Sequence, residues 1–488
     1  MDRQETPKVI EVPLPTTAEM ANRGIRRWFA LPVILAGTFM TILDFFIVNV
    51  AIPSAQADLH ADSSEVQLIV AGYGLAYAAG LITGGRLGDL YGRRRLFAIG
   101  LAAFTLFSVA CGLAPNAVLL VLFRVLQGAS ASMLFPQVLS ILNVAYSGQD
   151  RPKAFMSLGI TIGLASVSGQ IFGGLLIGAN PWGLGWRACF LINLPIGLLA
   201  LTLLGVVVRE SRSDRASRLD IVGVGLIGTA LLFLLYPLVV GREAGWPAWS
   251  WACMGAGVAG CGVFALHQIW LSRRGGTPLV PPILFRERAF VVGLLSVLSV
   301  YAGMASFFLV FALYLQKGLG ISPLSSGLIF MPCGLGFFLI SLCAPRLTQL
   351  LGRRVLTLGA VTLGMSETVL SIFSNAAGRH PSAVVLCLLM FAAGAGMGAM
   401  GSPLLSQVLA GIPASEAGAA SGVLSTVQQL AGALGVALIG ILFFGALGKG
   451  AGYSSAFSTS LLLTIALAGI TALITAPSLW WDSPRGRR

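Results

Sequence analysis

The sequence predicts an all-α membrane protein, with fourteen transmembrane helices in two similar six-helix halves and two further helices inserted between them. Three observations predict it. The 488 residues are 56% hydrophobic and only 10% charged, with a mean hydropathy of +0.87, where a soluble chain would carry about 25% charged residues. Apolar runs of the roughly 20 residues that a bilayer requires recur along the whole length. The basic residues alternate from one connecting segment to the next. Of 31 Lys and Arg, only Arg187, Arg242, Lys317, Arg379 and Lys449 fall on one side of the bundle, and Arg124 falls inside an apolar run. All the others fall on the opposite side, which the positive-inside tendency makes cytoplasmic, together with both termini. The net charge of +13 could suggest a nucleic-acid partner, but this placement argues for a lipid bilayer and against nucleic acid.

Taken in order, the expected helices are 29–50, 66–85, 96–114, 118–142, 154–177 and 188–208. The inserted pair is 221–240 and 251–271. The second six are 289–315, 322–344, 355–374, 383–409, 417–445 and 457–476. Segment 1–28 is polar and reads as a cytoplasmic tail rather than a signal peptide, so the first helix acts as an uncleaved anchor. Segment 478–488 is the other tail, and 209–288 holds the linkers and the inserted helices, between halves at 29–208 and 289–477. Trp28, Trp480 and Trp481 suit the inner interface, and Trp182, Trp246 and Trp249 the outer one. The seven cysteines sit singly in apolar stretches and the three histidines form no cluster, so no metal site is expected.

A short polar knot, Gly85–Phe97, joins the second and third helices. Its glycines at 85, 88 and 92 suit a tight turn with positive φ, and its arginines hold the turn in water. The bland reading, a basic loop, does not account for Asp89 among the glycines. Pro345–Arg354 echoes Gly85–Arg94, and the same displacement carries position 29 onto 289, so the halves are an internal repeat. Repeats of this kind place a substrate path between the halves near the bilayer midplane.

The knot resembles the signature loop of the major facilitator superfamily. Four further stretches resemble its fourteen-helix drug:proton antiporter branch: Leu43–Pro53 around Asp44, Arg124–Ala129, Trp186–Gly197, and Leu219–Gly223. Two departures stand out. In the fifth helix, Gly163, Gly169, Gly173 and Gly174 match the antiporter motif, but Gln170 stands where the family usually has proline. In the thirteenth, Ser425 and Gln428 stand where relatives often carry Asn and Arg. The resemblance implies a proton-coupled exporter of amphipathic or lipophilic compounds, acting as a monomer on the proton gradient without a cofactor. Uptake by symport, or export of one endogenous metabolite, remain open alternatives. A membrane enzyme would need clustered His, Asp or Cys, and an ATP-driven pump a phosphate-binding Gly-x-x-x-x-Gly-Lys-Ser/Thr loop. Gly445–Gly450 lacks both its spacing and its hydroxyl.

Asp44 is the only carboxylate within the apolar runs of the first half. A charge there is costly and marks function by default, and burial disfavours the charged form, so Asp44 can load and release a proton. A capping Asp near the outer surface is the alternative. Arg124 matches the family motif tied to proton coupling, with snorkelling to the outer interface as its alternative. Glu367, in the eleventh helix, either completes a proton route, neutralises a cationic substrate, or faces an outer water layer. Asp89 with Arg93 is expected to latch onto the positive N-terminus of a helix in the other half, and the resemblance points to a start near Ala417. Phe45, Tyr73, Tyr301 and Phe308 are candidate aromatic walls for a substrate, with Gln127, Gln428 and Gln429 as neutral hydrogen-bonding groups. Gln349 replaces the aspartate in the echo of the knot, so the charge latch should act from the first half only.

Overall fold

In a computed structural model, residues 17–61, 63–212, 218–241, 245–321, 323–376 and 381–476 are described. Fourteen helices in it are long and apolar enough to cross a membrane. In the first half these are α1 Thr17–Leu59, α2 Ser63–Tyr91, α3 Arg93–Gly112, α4 Ala117–Ala145, α5 Asp150–Ala179 and α6 Gly185–Val207. The inserted pair is α7 Ile221–Val240 and α8 Ala248–Arg273. The second half comprises α9 Arg288–Leu313, α10 Pro323–Leu351, α11 Arg354–Ala376, α12 Ala383–Val408, α13 Ala417–Gly448 and α14 Tyr453–Thr475. The tail at 478–488, with Trp480 and Trp481, lies outside the described residues, as does most of the tail at 1–28.

The two halves pack by the same rule. In the first, α2 lies on α4, α1 on α5 and α6, and α3 on α4 and α6. In the second, α10 lies on α12, α9 on α13 and α14, and α11 on α12 and α14. They meet along two matching seams, α2 with α13 and α5 with α10, and α7 rests on α2 and α13.

Several boundaries differ from the expected ones. The helix α2 runs on to Tyr91, through the first part of the knot, and α10 likewise runs on to Leu351. Gly85 and Gly88 are therefore helical. Only Gly92 of the three has a positive φ, +102°, matched by Gly352 at +57° in the echo. Glycine costs a helix only about 1 kcal/mol relative to Ala, which packing can offset, so the helix stops where the left-handed residue stands. The span α6 is interrupted between Leu191 and Asn193. Pro195 has no N–H to donate to the Leu191 carbonyl. One wide turn, Tyr314–Gly318, closes the end of α9.

Candidate functional site

Two polar centres lie inside this apolar bundle. In the first, Asp44 of α1 is wholly buried and its carboxylate is saturated. Arg124 Nη1 lies 2.5 Å from Oδ2, Gln127 Nε2 donates to Oδ1 at 2.9 Å, and Asn193 Nδ2 reaches Oδ1 at 3.3 Å. Arg124 comes from the second turn of α4, and Gln127 follows one turn later on the same face (i, i+3), which lets both meet Asp44. Arg124 also donates through Nε to the Ile69 carbonyl at 3.1 Å and through Nη1 to Gln127 Oε1 at 2.8 Å. Its guanidinium lies 4.3 Å above the Tyr73 ring. It is 1% exposed and does not snorkel. Three helices thus meet at one carboxylate, and α2 joins them through Arg124.

A buried ion pair repays its desolvation only when its remaining donors and acceptors are satisfied, and here the neighbours largely do so. Removing one member would leave the other unpaired, a change that costs about 3–5 kcal/mol. Asn193 and Ser108 belong to this centre; Asn193 lies in the stretch Trp186–Gly197, and only its polarity within an apolar run marked Ser108 in the sequence. Asn193 Nδ2 contacts Ser108 Oγ at 3.0 Å, and Ser108 donates to the Phe190 carbonyl at 2.9 Å. Tyr73 and Gln127, expected to line a substrate path, lie against Arg124 and Asp44.

The second centre is the latch. Asp89, fully buried at the end of α2, accepts from the backbone N–H groups of Gly418 (3.1 Å) and Ala419 (3.0 Å) in the first turn of α13. Four N–H groups at a helix start lack intrahelical partners, so a carboxylate is well matched to the site. Arg93 bridges, 2.6 Å from Asp89 Oδ1 and 2.6 Å from the Ala414 carbonyl. A Cβ on Gly85 would lie 2.2 Å from the Gly418 carbonyl oxygen, so α2 and α13 touch backbone to backbone. Arg86 pairs with Glu416 at 3.8 Å, Ser140 donates to the Ala417 carbonyl at 3.2 Å, and Arg151 donates to the Ser406 carbonyl at 3.2 Å. These contacts join the halves at the face bearing the arginine-rich loops. Beside them, Glu210 of the linker accepts from the Arg94 and Arg95 N–H groups and caps α3. By contrast, Gln349 in the echo is exposed.

Other expected residues are dispersed. Gly169 and Gly173 of α5 would press a Cβ against Phe46 and Val50 of α1, and Gly163 faces Phe337 of α10. Gly174 meets nothing within 4 Å, so the packing role does not extend to it. Gln170 lies within α5, but its side chain is outside the described residues. Tyr301 of α9 shares a hydrogen bond with buried Gln428 of α13, and Gln429 beside it is half-buried. Phe45 is exposed and edge-on to Phe46, while Phe308 is partly exposed against Phe307 and Phe330. Glu367 is 1% exposed, between α11 and its neighbours, and joins neither centre. Asp220 caps α7 and holds His267 and Gln268 of α8 at 3.0 and 2.7 Å. Burial works to raise its pKa, but these hydrogen bonds outweigh it and keep Asp220 below the usual carboxylate range.

The model of the Major Facilitator Superfamily matches residues 34–436, and a second match covers 294–486. The chain belongs to the Major Facilitator Superfamily. It is a multi-pass membrane transporter rather than an enzyme. It is 40% identical to the "Probable actinorhodin transporter" of Streptomyces coelicolor over 87% of this chain and 74% of that one. It is 35% identical to the "Puromycin resistance protein pur8" of Streptomyces alboniger over 90% and 86%. With the "Multidrug resistance protein Stp" of Mycobacterium tuberculosis it shares 32% identity over 83% and 73%. Two solved members of the superfamily fold share the architecture at low identity. The proton:xylose symporter XylE superposes with a TM-score of 0.66 at 17% identity, covering 92% of this chain and 95% of that one. The human organic anion transporter MFSD10 does so with 0.64 at 16%, covering 91% and 99%.

Proposed function

We propose that this chain is a proton-coupled antiporter that exports amphipathic or lipophilic small molecules, antibiotics among them, across the bacterial plasma membrane by alternating access. The relatives named for actinorhodin, puromycin and multidrug resistance support the substrate class. The basic loops support a cytoplasmic position for the latched face and for both termini. The buried Asp44–Arg124 pair is the observation that carries the reading.

In this conformer Asp44 is paired with Arg124. A proton arriving from the outer side binds Oδ2 and displaces the Arg124 N–H from it. Arg124 then keeps the Ile69 carbonyl, Gln127 Oε1 and the Tyr73 face, so it stays in place while the charged tie from α1 to α4 is lost and only the Gln127–Oδ1 hydrogen bond joins the two helices there. Loss of that tie between two helices of the first half is what can tilt the half and strain the Asp89 latch. Opening at the cytoplasmic face would release the proton and admit substrate, and re-pairing of Asp44 with Arg124 would return the bundle to the latched state. Tyr301, Gln428 and Gln429 are the polar groups we assign to the substrate path. Gln428 Oε1 is buried without a partner among the described residues, as expected of a group that waits for a ligand donor.

Everted vesicles with an imposed proton gradient test this. Uptake of hydrophobic antibiotics should follow the gradient and collapse with a protonophore at constant ATP. Uptake indifferent to the protonophore would remove the proton from the mechanism. The match to a relative named for a single compound supports a narrower reading, in which one substrate of the panel would outcompete all others.

A further inference from the structure

Glu367 stands apart from everything used so far. It sits just beyond the middle of α11, is 1% exposed, and neither carboxyl oxygen has a hydrogen-bond partner among the described residues. The Thr464 hydroxyl of α14 lies beside it and is its one neighbouring donor among them, shared with the Leu461 carbonyl 3.0 Å from that hydroxyl. The helices packed on α11 offer no countercharge near it. Neither α12 nor α14 contains Asp, Glu, Lys, Arg or His, and their only titratable groups are Cys387 and Tyr453. On α10 stand Cys333, Cys343 and Arg346, the arginine exposed in the last turns. Within α11 the one other charge is Arg354, at its first residue and about 20 Å away along the axis. An ionised carboxylate buried with no countercharge and a single hydroxyl beside it is far too costly to persist. Glu367 therefore carries its proton in this conformer.

That proton has a way out in one direction. Ser371 and Asn375 follow Glu367 at i+4 and i+8, one above the other on the same face. The Ser371 hydroxyl lies 2.6 Å from that of Ser458 in α14, and Asn375, which is exposed, donates to the same Ser458 hydroxyl at 2.8 Å. Ser371 is one helical turn from Glu367, about 5–6 Å between Cβ atoms, a gap that one water can bridge. Toward the basic face the next hydroxyl on α14 is Thr471, about 10 Å beyond Thr464, and buried Leu363, Ala360 and Ala468 fill the interval.

We propose that Glu367 is a second proton-binding carboxyl, separate from Asp44, that exchanges with the outer face through Ser371, Ser458 and Asn375 and is closed to the cytoplasmic face. The step is a proton transfer alone. The Glu367 O–H bond breaks as the proton passes along the hydroxyls to outer water, and water enters the α11–α14 seam to solvate the carboxylate left behind. The site does not require Asp44 to be the coupling group, so failure of the proton-antiport reading would leave it standing.

Infrared difference spectroscopy on the full chain in liposomes tests this as the outer pH is stepped upward. A buried carboxylic acid with at most one hydrogen bond absorbs toward the high-frequency end of the C=O range. That band should bleach in the wild type, persist in Asp44→Asn and be absent in Glu367→Gln. Ser371→Ala combined with Asn375→Leu should keep the band but slow its exchange several-fold, and this variant tests the route even if Glu367→Gln fails to fold. A band unchanged in Glu367→Gln would overturn the assignment, and unchanged exchange in the double variant would overturn the route. Loss of cationic-substrate transport in Glu367→Gln without any change of band would overturn the proposal in favour of a cation-neutralising carboxylate.

Discussion

Replacing Asp89 by Asn removes one charge and one acceptor from the latch while leaving its shape. The carboxylate serves two α13 N–H groups through separate oxygens and Arg93 through one of them. An amide has a single oxygen, so at most one of the two N–H groups keeps an acceptor and the other faces an NH₂ group. The loss is one charge-assisted hydrogen bond together with the attraction of a negative charge to a helix N-terminus, about 2–3 kcal/mol in all. At 1.4 kcal/mol per decade, this shifts the balance between latched and open cytoplasmic faces by about 30- to 150-fold. Spin labels at Tyr91 and Gly411, both exposed near the joint, report the distance by pulsed electron resonance. The variant should show a large new population at longer separation, and restoring a carboxylate with Asp89→Glu should recover part of the short one. A distance distribution identical to that of the parent would refute the latch.

Three further outcomes follow from the geometry. Gly418→Ala places a methyl group 2.3 Å from the Gly85 carbonyl oxygen, so the same labels should separate even though no charge has changed; an unmoved joint would show that the contact is not limiting. Arg124→Lys keeps the charge but cannot serve Asp44, Ile69 and Gln127 from one rigid fork. Transport should fall at least tenfold with normal membrane insertion, and near-normal transport would show that charge alone suffices. Asp220→Ala should lower the melting temperature, since an N-cap is worth about 0.5–2 kcal/mol. Because the native Asp220 ionises more readily than in an unfolded chain, its contribution is present above the ordinary carboxylate range and fades as pH falls through its lowered value. The difference between parent and variant should therefore narrow in acid, and a difference independent of pH would exclude that linkage.

The helices were legible because their signal is composition over long runs, and the repeat because Gly85–Arg94 and Pro345–Arg354 share a spacing. The partners of Asp44 were only partly legible. Arg124 announces itself as a charge within an apolar run. Gln127, Asn193 and Ser108 are ordinary polar residues whose convergence depends on how four helices cross. The contact of Tyr73 with Arg124 was not legible, because an aromatic stripe looks the same whether it faces a ligand or a buried guanidinium. In the knot, glycines read as turn formers where two of them serve backbone contact, a property of the partner helix that the local sequence does not contain. Glu367 was visible as a carboxylate, but whether it was solvated, paired or stranded depended on α12 and α14.

The central claim is that the proton bound at Asp44 exchanges against substrate. The direct test is proton release on adding a transported antibiotic to the purified protein in weakly buffered detergent solution, followed with a pH-sensitive dye. The wild type should release protons as substrate binds, and Asp44→Asn should bind the same compound with no release. Equal proton release from both proteins would contradict the account.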